Sequence, residues 1–386
     1  MGNKNEVVIN SIGKENFIQE KKLKGNLTAP GNNNFFYDIL PFPEEEKIIL
    51  SSTKQITIVG FNPINIEKKL EIKNLKVLQR NYKNVEKNKQ HIYSFYACKE
   101  GSYALIMSIS INFNDYTFEI KEIIRKHMPK CYFLNFFVLS IDLIVIAFNK
   151  GTIMIFDKPE INDKDNKIIL LPTEKERQIF KYNHEINLNE QQESCNFFEV
   201  SDTCFIAITS MGSLRFYDFI ESKREFVVNN YMEGYWANPH SKNSIILLGN
   251  KLICAYKSIT IIDVNKRLIL QQIKSQNINS SILYLQNHTI LLVSGHIINN
   301  NTKDMKRVIS LSQYVIAEEE IDEKGNKSLK QYNYSSGDLE GLSKVKTLSL
   351  ISEKSILKED SNIITNCIEF LDKIIIFSSN KIKIIQ

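Results

Sequence analysis

The side chains that could carry chemistry are scattered along this chain. The histidines are His91, His127, His184, His240, His288 and His296, and no metal-ligand spacing relates them. The cysteines are Cys98, Cys131, Cys195, Cys204, Cys254 and Cys367, and no two form a CxxC pair. His127 and Cys131 lie within one short stretch, but two ligands do not make a zinc site, so the pair reads as structural. Asp163 and Asp165 open like a calcium loop, yet Ile168 stands where that loop needs its glycine. No GxxxxGK[ST] phosphate loop, GxGxxG turn, HExxH pair or GxSxG elbow occurs. The expectation is a protein with no catalytic, cofactor-binding or metal-binding residues, hence not an enzyme. A convergent pocket of titratable groups gathered from distant segments would revive catalysis.

What remains is binding chemistry, and two segments offer it. The first is Glu233-Gly234-Tyr235-Trp236-Ala237-Asn238-Pro239-His240. An exposed Tyr-Trp pair makes an interface anchor, because large amphipathic rings carry binding energy at little entropic cost. Tyr235, Trp236 and His240 are therefore the candidate protein-binding residues; the competing reading packs Trp236 between two sheets. The second segment is basic, with Lys68, Lys69, Lys73, Lys76, Arg80 and Lys83 as candidate polyanion-binding residues, followed by Lys87 and Lys89. Tyr82 is the sole aromatic between Lys68 and Lys89, so a stacking platform for nucleic acid is missing and a solvated charged loop competes.

The composition bounds these readings. The 386 residues are 43% hydrophobic and 24% charged, a globular balance. With 49 Lys+Arg against 44 Asp+Glu the net charge is +5, too even for a dedicated nucleic-acid or membrane-surface protein. No apolar stretch is long enough for a transmembrane helix, and Met1 to Asn10 holds no signal-like apolar core. Met1-Gly2 opens a myristoylation pattern, but Glu6 stands where it wants Ser or Thr. Cys204 and Cys254 sit in apolar runs, which implies buried free thiols and a reducing compartment. The expected location is the cytoplasm, with the nucleus or a cytoskeletal association as alternatives.

The elements that must position these side chains are short β runs rich in Ile, Val, Phe and Tyr. An apolar run, a polar turn and a run of the type I-x-I-Φ-D recur. The pairs are Ile48 to Leu50 with Ile56 to Val59, Tyr103 to Ile109 with Tyr116 to Ile120, and Leu143 to Phe148 with Ile153 to Asp157. They continue as Cys204 to Ile208 with Leu214 to Asp218, Leu252 to Tyr256 with Ile259 to Asp263, Ile290 to Val293 with Val308 to Leu311, and Ile374 to Phe377 with Ile382 to Ile385. A further run often precedes the pair, as at Phe35 to Tyr37 or Asn196 to Phe198, and another follows, as at Arg267 to Ile273. Seven such units, each of four antiparallel strands, follow the grammar of a β-propeller. Stacking the sheets around an axis buries faces that an open array would leave exposed. Three polar stretches, near 62–92, 157–194 and 295–345, interrupt the rhythm and read as partly disordered loops; in the first, a short helix over Leu75, Leu78, Tyr82 and Val85 or a strand across Leu70 to Leu78 competes.

The run ends Ile153-Met154-Ile155-Phe156-Asp157, Leu214-Arg215-Phe216-Tyr217-Asp218 and Ile259-Thr260-Ile261-Ile262-Asp263 resemble the third strands of WD-repeat proteins. The resemblance covers most of residues 35–386. The sequence departs from the family in having no Trp-Asp dipeptide, and its one Gly-His pair, Gly295-His296, follows an apolar run where the signature does not belong. The resemblance implies an all-β, seven-bladed β-propeller with divergent WD-like blades over residues 35–386. It also implies a non-catalytic scaffold that mediates protein–protein interaction as a subunit of a larger intracellular complex, the alternative being electrostatic binding of nucleic acid or acidic surfaces. The last unit reaches Gln386 after its third strand. Residues 1–34 then form an arm that supplies the closing strand, from Val7-Val8-Ile9 or Phe17-Ile18-Gln19.

Overall fold

In the computed structural model the described residues are 36–52, 55–62, 64–71, 75–80, 92–99, 103–127, 133–140, 143–148, 152–157, 178–180, 194–220, 222, 225–239, 241–274, 278–285, 289–299, 305–321, 327–331, 347–357, 364–371, 373–378 and 381–385. Among them the chain is all-β and antiparallel, with two short 3-10 turns, Pro43–Glu45 and Lys242–Ser244. No helix among them is long and apolar enough to cross a membrane.

The strands gather into successive sheets in chain order. The first sheet is β1 (Phe36–Phe42), β2 (Lys47–Ser52), β3 (Ile56–Phe61) and β4 (Ile64–Leu70). The second is β5 (Leu75–Arg80), β6 (Ile92–Lys99), β7 (Tyr103–Asn112) and β8 (Thr117–His127). The third is β9 (Phe133–Val138), β10 (Leu143–Phe148), β11 (Thr152–Asp157) and β12 (Gln178–Phe180). The fourth is β13 (Ser194–Ser201), β14 (Cys204–Thr209), β15 (Leu214–Ile220) and β16 (Glu225–Met232). The fifth is β17 (Ile245–Leu248), β18 (Lys251–Ala255), β19 (Ser258–Asp263) and β20 (Leu268–Lys274). The sixth is β21 (Ile278–Tyr284), β22 (Thr289–Asn299), β23 (Met305–Ile321) and β24 (Lys327–Gln331), with β25 (Thr347–Leu357) also paired to β23. The seventh is β26 (Ile364–Phe370), β27 (Lys373–Ser378) and β28 (Lys381–Ile385).

Strand periodicity builds the core. In β10, Ile144 and Ile146 pack with Phe136 and Tyr96 of the second and third sheets, while Val145 and Ala147 face Phe205 and Tyr217 of the fourth. In β14, Ile206 and Ile208 turn toward Leu252 and Ile262 of the fifth sheet, and Phe205 and Ala207 turn back. A middle strand buried on both faces reads as an unbroken apolar run, as Leu143 to Ala147 of β10 does. The same logic joins the first sheet to the second through Phe42, Ile58, Phe95 and Ile109, the fifth to the sixth through Ile261 and Ile282, and the sixth to the seventh through Val293 and Ile376. Ile368, Phe370 and Ile375 of the seventh sheet pack on Ile39, Ile48, Leu50 and Phe61 of the first, with the Phe61 and Phe370 rings edge-on at 4.9 Å. Burying each such ring contributes about 1.5–3 kcal/mol.

Several sequence expectations change. The stretch near 62–92 contains β4 and β5, so strands replace the expected loop; the helix over Leu75, Leu78, Tyr82 and Val85 does not form across Leu75–Arg80. Their polar side chains gave no alternation to read, while pairing with β3 and β6 satisfies their backbones. Tyr103 to Ile109 and the run after Tyr116 are the third and fourth strands of their sheet, because β5 and β6 precede them. Around 295–345 the expected long loop is a hairpin, since β22 runs on to Asn299 and pairs with β23 from Met305. The stretch near 157–194 contains the short β12. The N-terminal arm, residues 1–34, lies outside the described residues.

Candidate functional site

The connection from β16 to β17 is tied down from both ends. It begins against the turn between β14 and β15, where Gly212 has φ +87°, donates its N–H to the Thr209 carbonyl at 2.8 Å and leaves no room for a side chain. The Gly212 carbonyl accepts the N–H groups of Trp236 and Ala237, each at 3.1 Å. The Ser213 hydroxyl donates to the Gly234 carbonyl at 3.0 Å and accepts the Gly234 N–H at 3.1 Å. Trp236 turns inward: its ring packs against the core between the fourth and fifth sheets, and its Nε1–H is shared by the Met232 and Glu233 carbonyls, both at 3.2 Å. Ala237, Asn238 and Pro239 are buried behind it.

Beyond Asn238 the segment meets the first strands of other sheets. The Asn238 carbonyl accepts the Ser244 hydroxyl at 3.0 Å and the Ser241 N–H at 3.3 Å. Asn196 of β13 donates its Nδ2 to the Ser241 carbonyl at 3.3 Å. The Ser241 hydroxyl pairs with that of Ser281 in β21 at 3.1 Å, and Asn243 donates its Nδ2 to the Cys367 carbonyl in β26. A single connection thus links the fourth, sixth and seventh sheets. Loops carry binding side chains best when a rigid scaffold holds them, and this one is held along its length.

What the anchored segment leaves outside is Tyr235, 41% exposed, together with Glu233. The Tyr235 ring lies 6.3 Å from that of Tyr256, and the Lys257 ammonium sits 3.3 Å from its centroid, a cation–π contact. Burial, and then the neighbouring Tyr235, push the Tyr256 hydroxyl above its usual range. The site is therefore an aromatic–cationic patch made by the 233–239 segment and the turn between β18 and β19. The expected Tyr-Trp pair divides: Tyr235 faces outward, Trp236 holds the loop, and His240 lies outside the described residues.

The basic candidates are not brought together. Lys68 and Lys69 are exposed on β4, the outer strand of the first sheet, between Glu67 and Glu71. Glu67 accepts the Tyr116 hydroxyl at 2.5 Å and pairs with Lys47 at 3.2 Å. Burial alone would lower the Lys47 pKa; the hydrogen bond and charge of Glu67, with Tyr116, hold it above the ordinary value. Lys76 and Arg80 belong to β5, the first strand of the next sheet, and Lys73 and Lys83 lie outside the described residues.

Two features escaped sequence reasoning. In six first strands the register slips near the strand start, and the next residue is Asp38, Val77, Asn135, Asn196, Ser281 or Asn366. The side chains of Asp38, Asn135 and Asn196 are buried, and each accepts the N–H of the following residue at 2.8–3.0 Å. A short polar residue before an apolar run, as in Asn196-Phe197-Phe198, was the available signal. The second is a clamp between the fourth and fifth sheets, where Arg267 pairs with Asp218 at 2.6 Å, lies 4.2 Å over the Phe216 ring and approaches Cys204 Sγ at 3.5 Å. The terminal Asp of a run supplies that pairing. Among the described residues no group of three or more His, Cys, Asp or Glu could hold a metal.

No family model matches the sequence, and no curated protein matches it. Among solved structures the chain is similar to Kluyveromyces lactis Hsv2, at 11% identity and a TM-score of 0.38, over 84% of this chain and 100% of that one.

Proposed function

We propose that the chain is a seven-bladed, WD-like β-propeller that acts as a non-catalytic platform for protein–protein interaction, as a subunit of a larger assembly. Apolar cores that couple each sheet to the next, and the seventh to the first, support the ring. The fourth strand of the seventh sheet then comes from residues 1–34. The observation that carries the binding function is Tyr235, exposed beside Tyr256 and Lys257 on a segment whose backbone is locked to Gly212 and Ser213. A rigid, outward aromatic loses little entropy on being covered, which is what an interface anchor requires.

The test is affinity purification of the tagged chain from its native cell, with co-purifying chains identified after a moderate-salt wash. A Tyr235→Ala variant should weaken capture of the main partner by roughly 30-fold, about 2 kcal/mol. Equal capture by both forms would remove Tyr235 from the interface. The alternative, polyanion binding through Lys68 and Lys69, predicts instead a retention on heparin that falls steeply with salt. Glu67 and Glu71 beside those lysines argue against it.

A further inference from the structure

The fifth sheet ends on an edge more apolar than those of β4 and β8. Among the described residues β20 is paired only with β19, and Leu268, Ile269 and Leu270 are 58%, 42% and 43% exposed. No charge stands between Arg267 and Lys274. Outer strands ordinarily carry charges that discourage pairing with a foreign strand. β4 exposes Lys68 and Lys69, and β8 exposes Glu119, which pairs with Lys121 at 3.3 Å. The bulge in the pairing of β20 is no special guard, because β4, β8 and β16 share it at Ile58/Val59, Ile106/Met107 and Phe216/Tyr217. Arg267, clamped on Asp218 and Phe216, fixes where the strand begins. Exposed lysines flank it, Lys266 in the turn before the strand and Lys274 at its end.

We propose that β20 is a docking edge that takes an extended segment of another protein as an added strand, apolar in its middle and carrying carboxylates at both ends. This rests on the reading of the chain as a protein-interaction platform. Backbone hydrogen bonds along the edge supply affinity, Leu268, Ile269 and Leu270 cover the apolar middle, and Lys266 and Lys274 meet the carboxylates. Leu268–Lys274 spans about six steps of extended chain, roughly 20 Å, with Lys266 in the turn just before it, and this sets the spacing of the acidic groups.

The probes are two synthetic peptides with the same alternating valine–threonine middle, one ending in glutamates at both ends and one in lysines. Binding to the full chain is read by fluorescence anisotropy, and the contact is mapped by amide hydrogen exchange. The glutamate-ended peptide should bind at least roughly tenfold more tightly and protect residues 268–273. The Leu268→Lys/Leu270→Lys variant should lose that binding while its thermal midpoint stays unchanged, since both side chains face solvent. In a second variant, Lys266→Glu/Lys274→Glu, the preference between the peptides should reverse. Protection elsewhere, equal binding of both peptides, or self-association of the chain through residues 268–273 would overturn the proposal. A cellular partner captured equally by the wild type and the double-lysine variant would overturn it while leaving the platform reading intact; a chain that captures no partner in any form would overturn the platform reading as well.

Discussion

Gly234 is the residue on which the presentation of Tyr235 turns. Its φ of +149° is closed to ordinary side chains, and a Cβ there would fall 2.6 Å from the Trp236 indole, which its own hydrogen bonds hold in place. Gly234→Ala should therefore destabilise the chain by about 1–3 kcal/mol in urea unfolding, followed by the emission of the single tryptophan. An unchanged midpoint would mean that the segment relaxes without effort. The buried thiols make a second prediction. Burial, against an opposing hydrogen bond from Arg267, pushes the Cys204 thiol from 9.0 up to about 11, and burial pushes Cys254 and Cys367 up further still. The folded chain holds protons that the unfolded chain releases, so their contribution is complete below pH 9.0 and declines as pH rises toward 11. Lys47 and Tyr116, both raised above their ordinary 10.5 and 10.0, act in the same direction at higher pH. Unfolding midpoints should fall steadily over that window; a flat or rising profile would contradict the burial of these thiols.

At the scale of the element, the first strands β1, β9 and β13 share one device. A bulge near the start turns a short polar side chain back onto the next N–H, and in β13 that residue, Asn196, also donates to Ser241 of the connecting segment. Removing it strands a buried donor and a buried acceptor together. Asn196→Ala should lower stability by about 1–3 kcal/mol with an unchanged denaturant slope. A loss within a few tenths would show that Ser241 and Phe197 find other partners. The strands themselves were largely legible. Ile259 to Asp263 and Leu214 to Asp218 are strands where the recurring run placed them, because Ile259, Ile261, Leu214 and Phe216 keep its apolar face even though Thr260 and Arg215 between them are buried too. β4 and β5 were harder to read, because outer and polar strands satisfy their backbones through neighbours while their side chains obey no strict pattern.

For the whole molecule, the reading as a ring makes the chain ends interdependent. The seventh sheet has β28 at its edge among the described residues, and its core packs on that of the first sheet. If residues 1–34 supply its fourth strand, deleting residues 1–24 should lower the thermal midpoint by roughly 5–10 °C. An unchanged midpoint would mean that the ring closes some other way. On the same reading, the 233–244 connection is rigid because its partners Asn196, Ser281 and Cys367 come from three separate sheets.

The split between Tyr235 and Trp236 marks where sequence reading stops. Composition and period were enough for an all-β, antiparallel chain in repeated units, because the alternation of Ile144, Val145, Ile146 and Ala147 is a property of one strand and its two faces. Adjacent aromatics carry no such period. Which one is covered depends on Gly212, Ser213 and the fifth-sheet core, residues distant in sequence that meet only when the sheets stack. The same holds for Lys68 and Lys76, near neighbours in the chain that belong to the outer strand of one sheet and the first strand of the next. Local pattern determines which residues form strands, since it reports the burial each strand needs; the exposed surface is what remains after long-range packing, and only the tertiary structure decides it.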